Sequence, residues 1–267
     1  MKGEETVESG KAPRDKQMSI IEHLEELRWR IIVSLLAVGA GSVLGWFWAP
    51  RLLAFLARDV GHFVFVSPTE AFFSYLRLAF TVGLILGLPV ALVEAWLFIL
   101  PGLYPHEVRF FARYVPLIVA LFVLGVGFAY LAVYPVVLRF FLGFATEHIR
   151  PVMNVGRYLN FLTSLLLPFG LIFELPVLIV GLVKLGVVDR ATLARGRRLA
   201  YLLAFVVGAV LTPPDVISQV MMALPLIVLY EFSLILVRGV RPLSESAEGA
   251  AGEAPTPDED KVEESEG

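Results

Sequence analysis

Cysteine is absent from this chain of 267 residues, so the sequence contains no disulfide framework, no thiolate metal site and no cysteine nucleophile. The signatures HExxH, GxxxxGK[ST] and GxSxG are also missing. Basic residues do not alternate with aromatic residues in a nucleic-acid-binding pattern. We therefore expect no metal, no cofactor, no catalytic residues and no nucleic-acid partner. The four histidines have no metal-ligand spacing; they are His23, His62, His106 and His148.

Charge is also scarce, because 18% of the residues are charged and 57% are hydrophobic. An ordinary soluble domain has about 45–50% apolar residues even when glycine is counted. The excess is too large for one globular core, since the surface of a folded chain still needs polar cover. The composition argues against a soluble enzyme and indicates a chain that resides in the lipid bilayer.

The acidic residues are concentrated at the C-terminal end, where residues 244–267 hold nine acids and the single base Lys261. Without this segment the chain has 21 basic and 16 acidic residues, a net charge of +5. The polar segments 1–17 and 243–267 are predicted to be disordered cytoplasmic tails. Residues 18–242 form the predicted membrane domain between them.

Six runs nearly free of charge predict six transmembrane helices, at 31–50, 78–104, 114–138, 158–183, 199–214 and 216–237. Twenty helical residues at about 1.5 Å each cross a hydrocarbon core of about 30 Å, whereas the fifth run covers only about 24 Å. We expect an all-α integral membrane protein with short fifth and sixth helices in a curved, concave bundle.

Lysine and arginine are unevenly distributed between the two sets of loops. Fifteen lie in the N-terminal segment, the second and fourth loops and the segment after the sixth run, against six on the other side. By the positive-inside rule, both termini are in the cytoplasm. We expect no cleavable signal peptide, because the first 30 residues lack a separate apolar core.

Two acids at the predicted cytoplasmic surface have alternative interpretations. Glu22, Glu26 and Arg30 share one face of the amphipathic segment SIIEHLEELRWR, residues 19–30. They form either a solvated row of intrahelical ion pairs or a carboxylate site for a cationic partner. Glu107 lies in the loop PGLYPHEVRFFAR, residues 101–113, and either caps the third helix or serves the same partner.

Helix starts are predicted on the opposite side of the membrane. In SPTE, residues 67–70, Ser67 is a candidate N-cap, and Glu70 at the third helical position completes a capping box. In LTPPDVISQ, residues 211–219, Asp215 is a candidate N-cap for the sixth helix. A tight hairpin explains the prolines of this segment but not Gln219 on a transmembrane helix.

Glu174 lies in the middle of the fourth run, between Pro168 and Pro176. A charged carboxylate at mid-bilayer costs about 2.5–3.5 kcal/mol on insertion scales, so this acid is neutral, paired or facing water. A six-span secondary transporter that uses Glu174 for proton coupling is one candidate function. An intramembrane enzyme is not favoured, because the spans lack a nucleophile–base pair.

Five motifs in this order resemble the signatures of the TatC family, the large multi-spanning subunit of the twin-arginine protein translocase. They are HLEELR, SPTEAF, PGLYPHE, FGLIFELP and LTPPDVISQ, and the resemblance covers about residues 18–242. It implies a protein of the cytoplasmic (inner) membrane that binds the twin-arginine signal peptides of folded cargo proteins. It also implies single-span TatA/TatB-type subunits, a larger complex with several copies of the chain, and transport driven by the proton-motive force.

The resemblance also implies roles for individual residues. Glu26 and Glu107 would receive the two arginines of the signal peptide, with Leu24, Arg28 and Phe98 nearby. Glu174 would be the mid-membrane acid that docks or gates a single-span partner, and Thr212 and Gln219 would contact that partner. A small-solute carrier would instead place its acids near the midplane, so the surface position of Glu26 and Glu107 favours the translocase.

Overall fold

The computed structural model describes residues 20–99, 115–146, 148, 151–211 and 215–239. Glu107, Thr212 and the predicted tails at 1–17 and 243–267 lie outside the described residues. In the first half of the chain, helix α1 covers Ile20–Val60, strand β1 Phe63–Val64 and helix α2 Pro68–Ile99.

The third span consists of α3 (Val115–Phe128), a π-helical turn (Ala129–Val133) and α4 (Tyr134–Leu142). Strand β2 (Met153–Asn154) precedes the fourth span, which is divided into α5 (Val155–Ile172) and α6 (Leu175–Lys184). The short helix α7 (Arg190–Arg195) leads to α8 (Arg197–Leu211) and α9 (Val216–Val237).

Five of the described helical runs are long and apolar enough to cross a membrane: Ile21–Val60, Pro68–Phe98, Val115–Leu142, Val155–Lys184 and Val216–Val237. Helix α8, which overlaps the fifth predicted run, has 15 residues and a length of about 22 Å. The fifth helix is therefore short, as predicted. Helix α9 continues through Pro225 and Glu231 for 22 residues, so the sixth predicted span is the shortest of these five runs.

Successive long helices run in opposite directions, so their ends gather at two opposite ends of the bundle. We call the end with Ile20, Ile99 and Val237 the terminal face, and the end with Val60, Pro68 and β2 the loop face. At the loop face, β1 and β2 pair in parallel, with Phe63 opposite Met153 and Val64 opposite Asn154. The sequence analysis did not predict this pairing, because two residues are too few to give a strand pattern.

Helix α5 lies at the centre of the fold. Leu165 and Phe169 are fully buried and belong to the main hydrophobic core, to which α1, α2, α4, α8 and α9 also contribute buried side chains. One polar contact ties α5 to α2, since the hydroxyl oxygens of Thr81 and Thr163 are 2.9 Å apart. The most buried helix of the bundle is thus half of the span that carries Glu174.

Glycines set the distance between α1 and α2. Gly41 lies against Gly83, and a Cβ added at Gly45 would be 2.6 Å from the carbonyl oxygen of Ala79. A Cβ at Gly83 would be 2.7 Å from the backbone nitrogen of Ser42 and the backbone oxygen of Val38. Close approach of transmembrane helices through small residues four apart is common in membranes, and here it fixes the α1–α2 register.

We predict that Gly83→Val lowers the free energy of unfolding by about 1–3 kcal/mol, because backbone atoms of α1 would have to move. The measurement is thermal or denaturant unfolding of the purified protein in detergent. Gly39→Val in the same helix pair is the control, since a Cβ there meets nothing within 4 Å. Equal losses in both variants would show that valine propensity, and not the helix contact, causes the effect.

Candidate functional site

A cluster of three charged side chains joins α1 to α2 at the terminal face. Arg30 Nε donates to Glu26 Oε1 at 3.0 Å, and its Nη2 contacts the same oxygen. Arg30 Nη1 donates to Glu94 Oε2 at 2.9 Å. One guanidinium on α1 therefore holds a carboxylate from its own helix and a second carboxylate from α2.

The cluster is half-buried and carries an uncompensated negative charge. The side chains of Glu26, Arg30 and Glu94 are each 19% exposed, so water screens them only partly. Two carboxylates and one guanidinium have a net charge of −1. Glu26 Oε2 is buried and has no hydrogen-bond partner among the described residues. An unpartnered carboxylate oxygen next to an excess negative charge is suited to a further cationic donor.

The geometry bears on the first interpretation of the 19–30 segment, the solvated row of intrahelical ion pairs. Glu26 and Arg30 do form an intrahelical pair at i, i+4 spacing, but α2 covers the pair, so it is not a solvated row. The sequence analysis assigned neither a role nor a partner to Glu94. Glu94 could have been noticed in the sequence, because it is the single acid in the second apolar run. The sequence does not identify Arg30, 64 residues away, as its partner.

The structure describes three of the other residues predicted for this site. The ring of Phe98, at the end of α2, stacks on His23 with a centroid distance of 4.3 Å. Phe98 thus lies on the same side of the helix pair as the cluster. Leu24 and Arg28 are exposed on α1, with Leu24 59% exposed. Glu107 lies outside the described residues.

Glu174 lies at a break in the fourth span. Helix α5 ends at Ile172 and α6 begins at Leu175, and the Glu174 amide N–H donates to the carbonyl of Leu171 at 3.1 Å. The side chain is 7% exposed, and neither carboxyl oxygen has a hydrogen-bond partner among the described residues. Pro168 lies inside α5 and Pro176 is the second residue of α6, so the break falls between the two prolines, and the chain itself encloses the acid.

A second acid–arginine contact at the terminal face joins α8 to α9. Glu231 Oε1 is 3.3 Å from Arg197 Nε and accepts a hydrogen bond from the Tyr201 hydroxyl at 2.6 Å. The sequence analysis assigned no partner to Glu231. This acid therefore resembles Glu94, because an arginine of the neighbouring helix neutralises it.

The hairpin between α8 and α9 contains Gln219 and Asp215. Gln219 Nε2 donates to the carbonyl of Phe205 at 3.0 Å, so its amide joins the two helices instead of extending freely into the membrane. Asp215 occupies the N-cap position of α9, where its Oδ1 accepts from the Ser218 amide at 2.6 Å. Thr212 lies outside the described residues.

The start of α2 differs in detail from the predicted capping box. Helix α2 begins at Pro68, and the Glu70 amide donates to the Ser67 carbonyl at 3.0 Å. The Glu70 carboxylate accepts from the amide of Val66 at 2.8 Å, one residue before the predicted donor. The Ser67 hydroxyl is 2.5 Å from the Thr69 hydroxyl. The Ser67 hydroxyl thus pairs with Thr69, whereas a capping box would pair it with the Glu70 amide.

Comparison with known proteins identifies close relatives. Residues 22–225 match the sequence profile of the family described as Sec-independent protein translocase protein (TatC). The protein TatC of Carboxydothermus hydrogenoformans is 40% identical over 239 residues, 88% of this chain and 98% of that protein. The protein TatC of Aquifex aeolicus is 38% identical over 230 residues, 82% of this chain and 94% of that protein.

A solved structure agrees with these sequence matches. It is described as a crystal structure of the twin-arginine translocase receptor TatC, and it superposes with a TM-score of 0.72 at 38% identity. The superposition covers 81% of this chain and 98% of the other chain. Sequence and fold therefore agree on the same group of proteins.

Proposed function

Since the chain belongs to the TatC family of Sec-independent protein translocase proteins, we propose that it is the subunit that binds twin-arginine signal peptides. The family makes the chain a multi-pass membrane component of a protein translocase, not an enzyme. The proposal concerns the ligand, its site and the partners that complete the export machinery.

One observation carries the proposal: the Glu26–Arg30–Glu94 cluster has a net charge of −1 and an unpartnered, buried oxygen on Glu26. An arginine of the signal peptide supplies the missing positive charge and donates to that oxygen. Arginine fits better than lysine, because its planar fork donates two parallel hydrogen bonds to a carboxylate. Glu107 receives the second arginine, while Leu24, Arg28 and Phe98 border the peptide.

The acids account for specificity more than for affinity. Charge-assisted hydrogen bonds contribute about 1.5–3 kcal/mol each, so two contribute roughly 3–6 kcal/mol. Micromolar binding requires about 8 kcal/mol. The remainder comes from burial of the apolar stretch of the signal peptide along the membrane-embedded surface of the protein.

The partners belong to the same proposal. Single-span TatA/TatB-type subunits dock at the α8–α9 hairpin, through Thr212 and Gln219, and near Glu174. Several copies of the chain assemble with them, because six helices of this length are too few to surround a folded cargo protein. The proton-motive force drives export across the cytoplasmic membrane. The distribution of lysine and arginine supports placing the terminal face in the cytoplasm.

Crosslinking tests the site directly. A photoreactive amino acid at position 24, 98 or 107 should crosslink to a signal peptide with an arginine pair, in membranes that contain the full chain. A peptide with two lysines in place of the arginines retains the charge but lacks the fork, so its crosslinks should be much weaker. Equal crosslinking of both peptides at all three positions would contradict the proposal.

Glu94 should contribute to the same site without touching the peptide. Glu94→Gln removes the excess negative charge and leaves Arg30 to Glu26 alone, so we predict an affinity loss of about tenfold, or about 1.4 kcal/mol. Isothermal titration with a twin-arginine peptide measures it. Glu231→Gln is the matched control, because Glu231 is also paired with an arginine at the terminal face. A similar loss in the control would mean that general surface charge, not the cluster, determines binding.

A further inference from the structure

The loop face contains a polar cavity of about 540 Å³ between the first turns of α2 and the start of α5. Arg77 Nη1 donates to the carbonyl oxygen of Gly156 at 3.0 Å, which fixes the guanidinium in the cavity wall. Within the described part of the chain, Arg77 forms no ion pair. The polar lining of the cavity includes Glu70, Ser74, Arg77, Asn154, Arg157 and Asn160.

The lining has an excess of positive charge and of hydrogen-bond donors. It combines two arginines with one acid, Glu70. Glu70 accepts hydrogen bonds from the amide of Val66 at 2.8 Å and from the Asn154 side chain, and Arg157 attracts its charge, so one positive charge is left over in the cavity. The Ser74 side chain is only 2% exposed, and its hydroxyl has no hydrogen-bond partner among the described residues. A ligand with several acceptor oxygens and a negative charge would satisfy these donors.

An apolar groove of about 620 Å³ continues from the cavity, and the two share Phe73 and Arg77. The groove follows the α1–α2 contact past Trp46 and Phe80 to Ser42. Ser42 lies beside Gly83, which is 15 residues after Pro68, the first residue of α2. The groove therefore runs from the polar cavity toward the middle of the membrane.

The Arg77 side chain is close enough to the edge of the hydrocarbon core to reach the lipid phosphates. Arg77 is the tenth residue of α2 and lies about 13–14 Å along the helix from its first residue. A 32-residue helix is about 48 Å long and extends about 9 Å beyond each side of a 30 Å hydrocarbon core. The Cα of Arg77 is thus about 5 Å inside the core edge, and its side chain reaches the headgroup region by snorkelling.

We infer that the cavity and the groove together bind one anionic phospholipid from the leaflet at the loop face. The lipid phosphate lies between Arg77 and Arg157, and one acyl chain lies in the groove against Trp46. The charge of the cavity selects an anionic headgroup, and the continuity of cavity and groove selects a lipid over a free anion. The site is at the end of the bundle opposite to the Glu26–Arg30–Glu94 cluster and does not depend on it.

Quenching of Trp46 by brominated lipids tests the inference. The full chain is reconstituted in phosphatidylcholine nanodiscs that contain a fixed fraction of either brominated phosphatidylglycerol or brominated phosphatidylcholine. The fluorescence of Trp46 is obtained as the difference between the parental chain and Trp46→Phe. At equal mole fraction, phosphatidylglycerol should be enriched at Trp46 by at least about fivefold, the effect of one arginine on an anionic lipid.

Variants that remove charge test whether Arg77 and Arg157 cause the preference for phosphatidylglycerol. Arg157→Gln should reduce the enrichment, and Arg77→Gln combined with Arg157→Gln should abolish it. Because Arg77 also bonds to Gly156, the exposed Arg157 provides the variant that leaves the fold intact. Arg51→Gln is the control: Arg51 is exposed on α1, nine residues before the helix end at the loop face, and lines neither cavity nor groove. The enrichment of phosphatidylglycerol at Trp46 in Arg51→Gln should equal that in the parental chain.

Four outcomes would overturn the inference. Equal quenching by the two lipids would remove the headgroup preference, and a preference that survives the double variant would place it elsewhere. Absence of quenching by either lipid would show that protein covers the groove. Loss of the lipid preference on addition of millimolar inorganic phosphate would assign the cavity to a free anion.

Discussion

Replacement of both Glu26 and Glu107 with glutamine should reduce affinity for a twin-arginine signal peptide by at least about a hundredfold, or about 2.7 kcal/mol. Glutamine preserves side-chain size and one acceptor oxygen but removes both negative charges. The charge-assisted bonds to two guanidinium groups are then lost together. The protein should still insert and fold, because neither substitution changes an apolar surface. Titration of a labelled signal peptide against purified protein measures the affinity.

The single variants separate the two acids. Glu26→Gln leaves Arg30 with only Glu94 as a charged partner, so we expect it to impair binding strongly by itself. Glu25→Gln is the control, because Glu25 is the adjacent acid, is exposed, and lies outside the cluster. Undiminished affinity in the double variant would rule out these carboxylates as the arginine receptors. A comparable loss in Glu25→Gln would reassign the effect to the general charge of the segment.

The membrane-spanning segments were predictable because lack of charge over about twenty residues is a local property that a single sequence displays directly. The fourth span was predicted as one continuous run at 158–183, and the structure shows its break between the two prolines that flank Glu174. The α1–α2 register was not predictable. With 22 glycines in the chain, four-residue glycine spacings arise by chance, and only the structure shows Gly41 against Gly83.

The candidate site was predictable in part, and for a related physical reason. The i, i+4 spacing of Glu26 and Arg30 is local, so the pair itself could be expected. The burial of this pair depends on α2, which is distant in sequence. Glu94, the second carboxylate that contacts Arg30, also belongs to α2. Family membership decides between the translocase and the proton-coupled transporter, whereas a mid-membrane acid alone is compatible with both.

The enclosure of Glu174 leads to the second large expected effect. Both carboxyl oxygens are buried without a partner among the described residues, so the arrangement seen here is destabilised by about 1–3 kcal/mol. Movement of α6 at the break between Ile172 and Leu175 would expose the acid to a polar group of a partner helix or to water. The cost of burying the acid thus favours an open, partner-accepting arrangement.

Glu174→Leu and Glu174→Gln should therefore behave in opposite ways. Leucine removes the buried polar atoms, so we predict a higher thermal midpoint, weaker crosslinking to single-span partners and loss of export. Glutamine keeps polar atoms at the same place, so partner crosslinks and much of the export should persist. Binding of a twin-arginine signal peptide should be unchanged in both variants, because the site lies at the terminal face and not at the break in the fourth span.

Three measurements on each variant distinguish this gating role from a structural one: thermal unfolding, partner crosslinking and signal-peptide titration. A purely structural acid would change the thermal midpoint and leave the partner crosslinks of the folded protein intact. A leucine variant with parental stability, partner crosslinks and export would show that the bundle merely tolerates Glu174. Higher stability together with weaker partner contact is the combination expected only if the enclosed carboxyl group favours opening of the fourth span, because leucine then stabilises the state that excludes the partner.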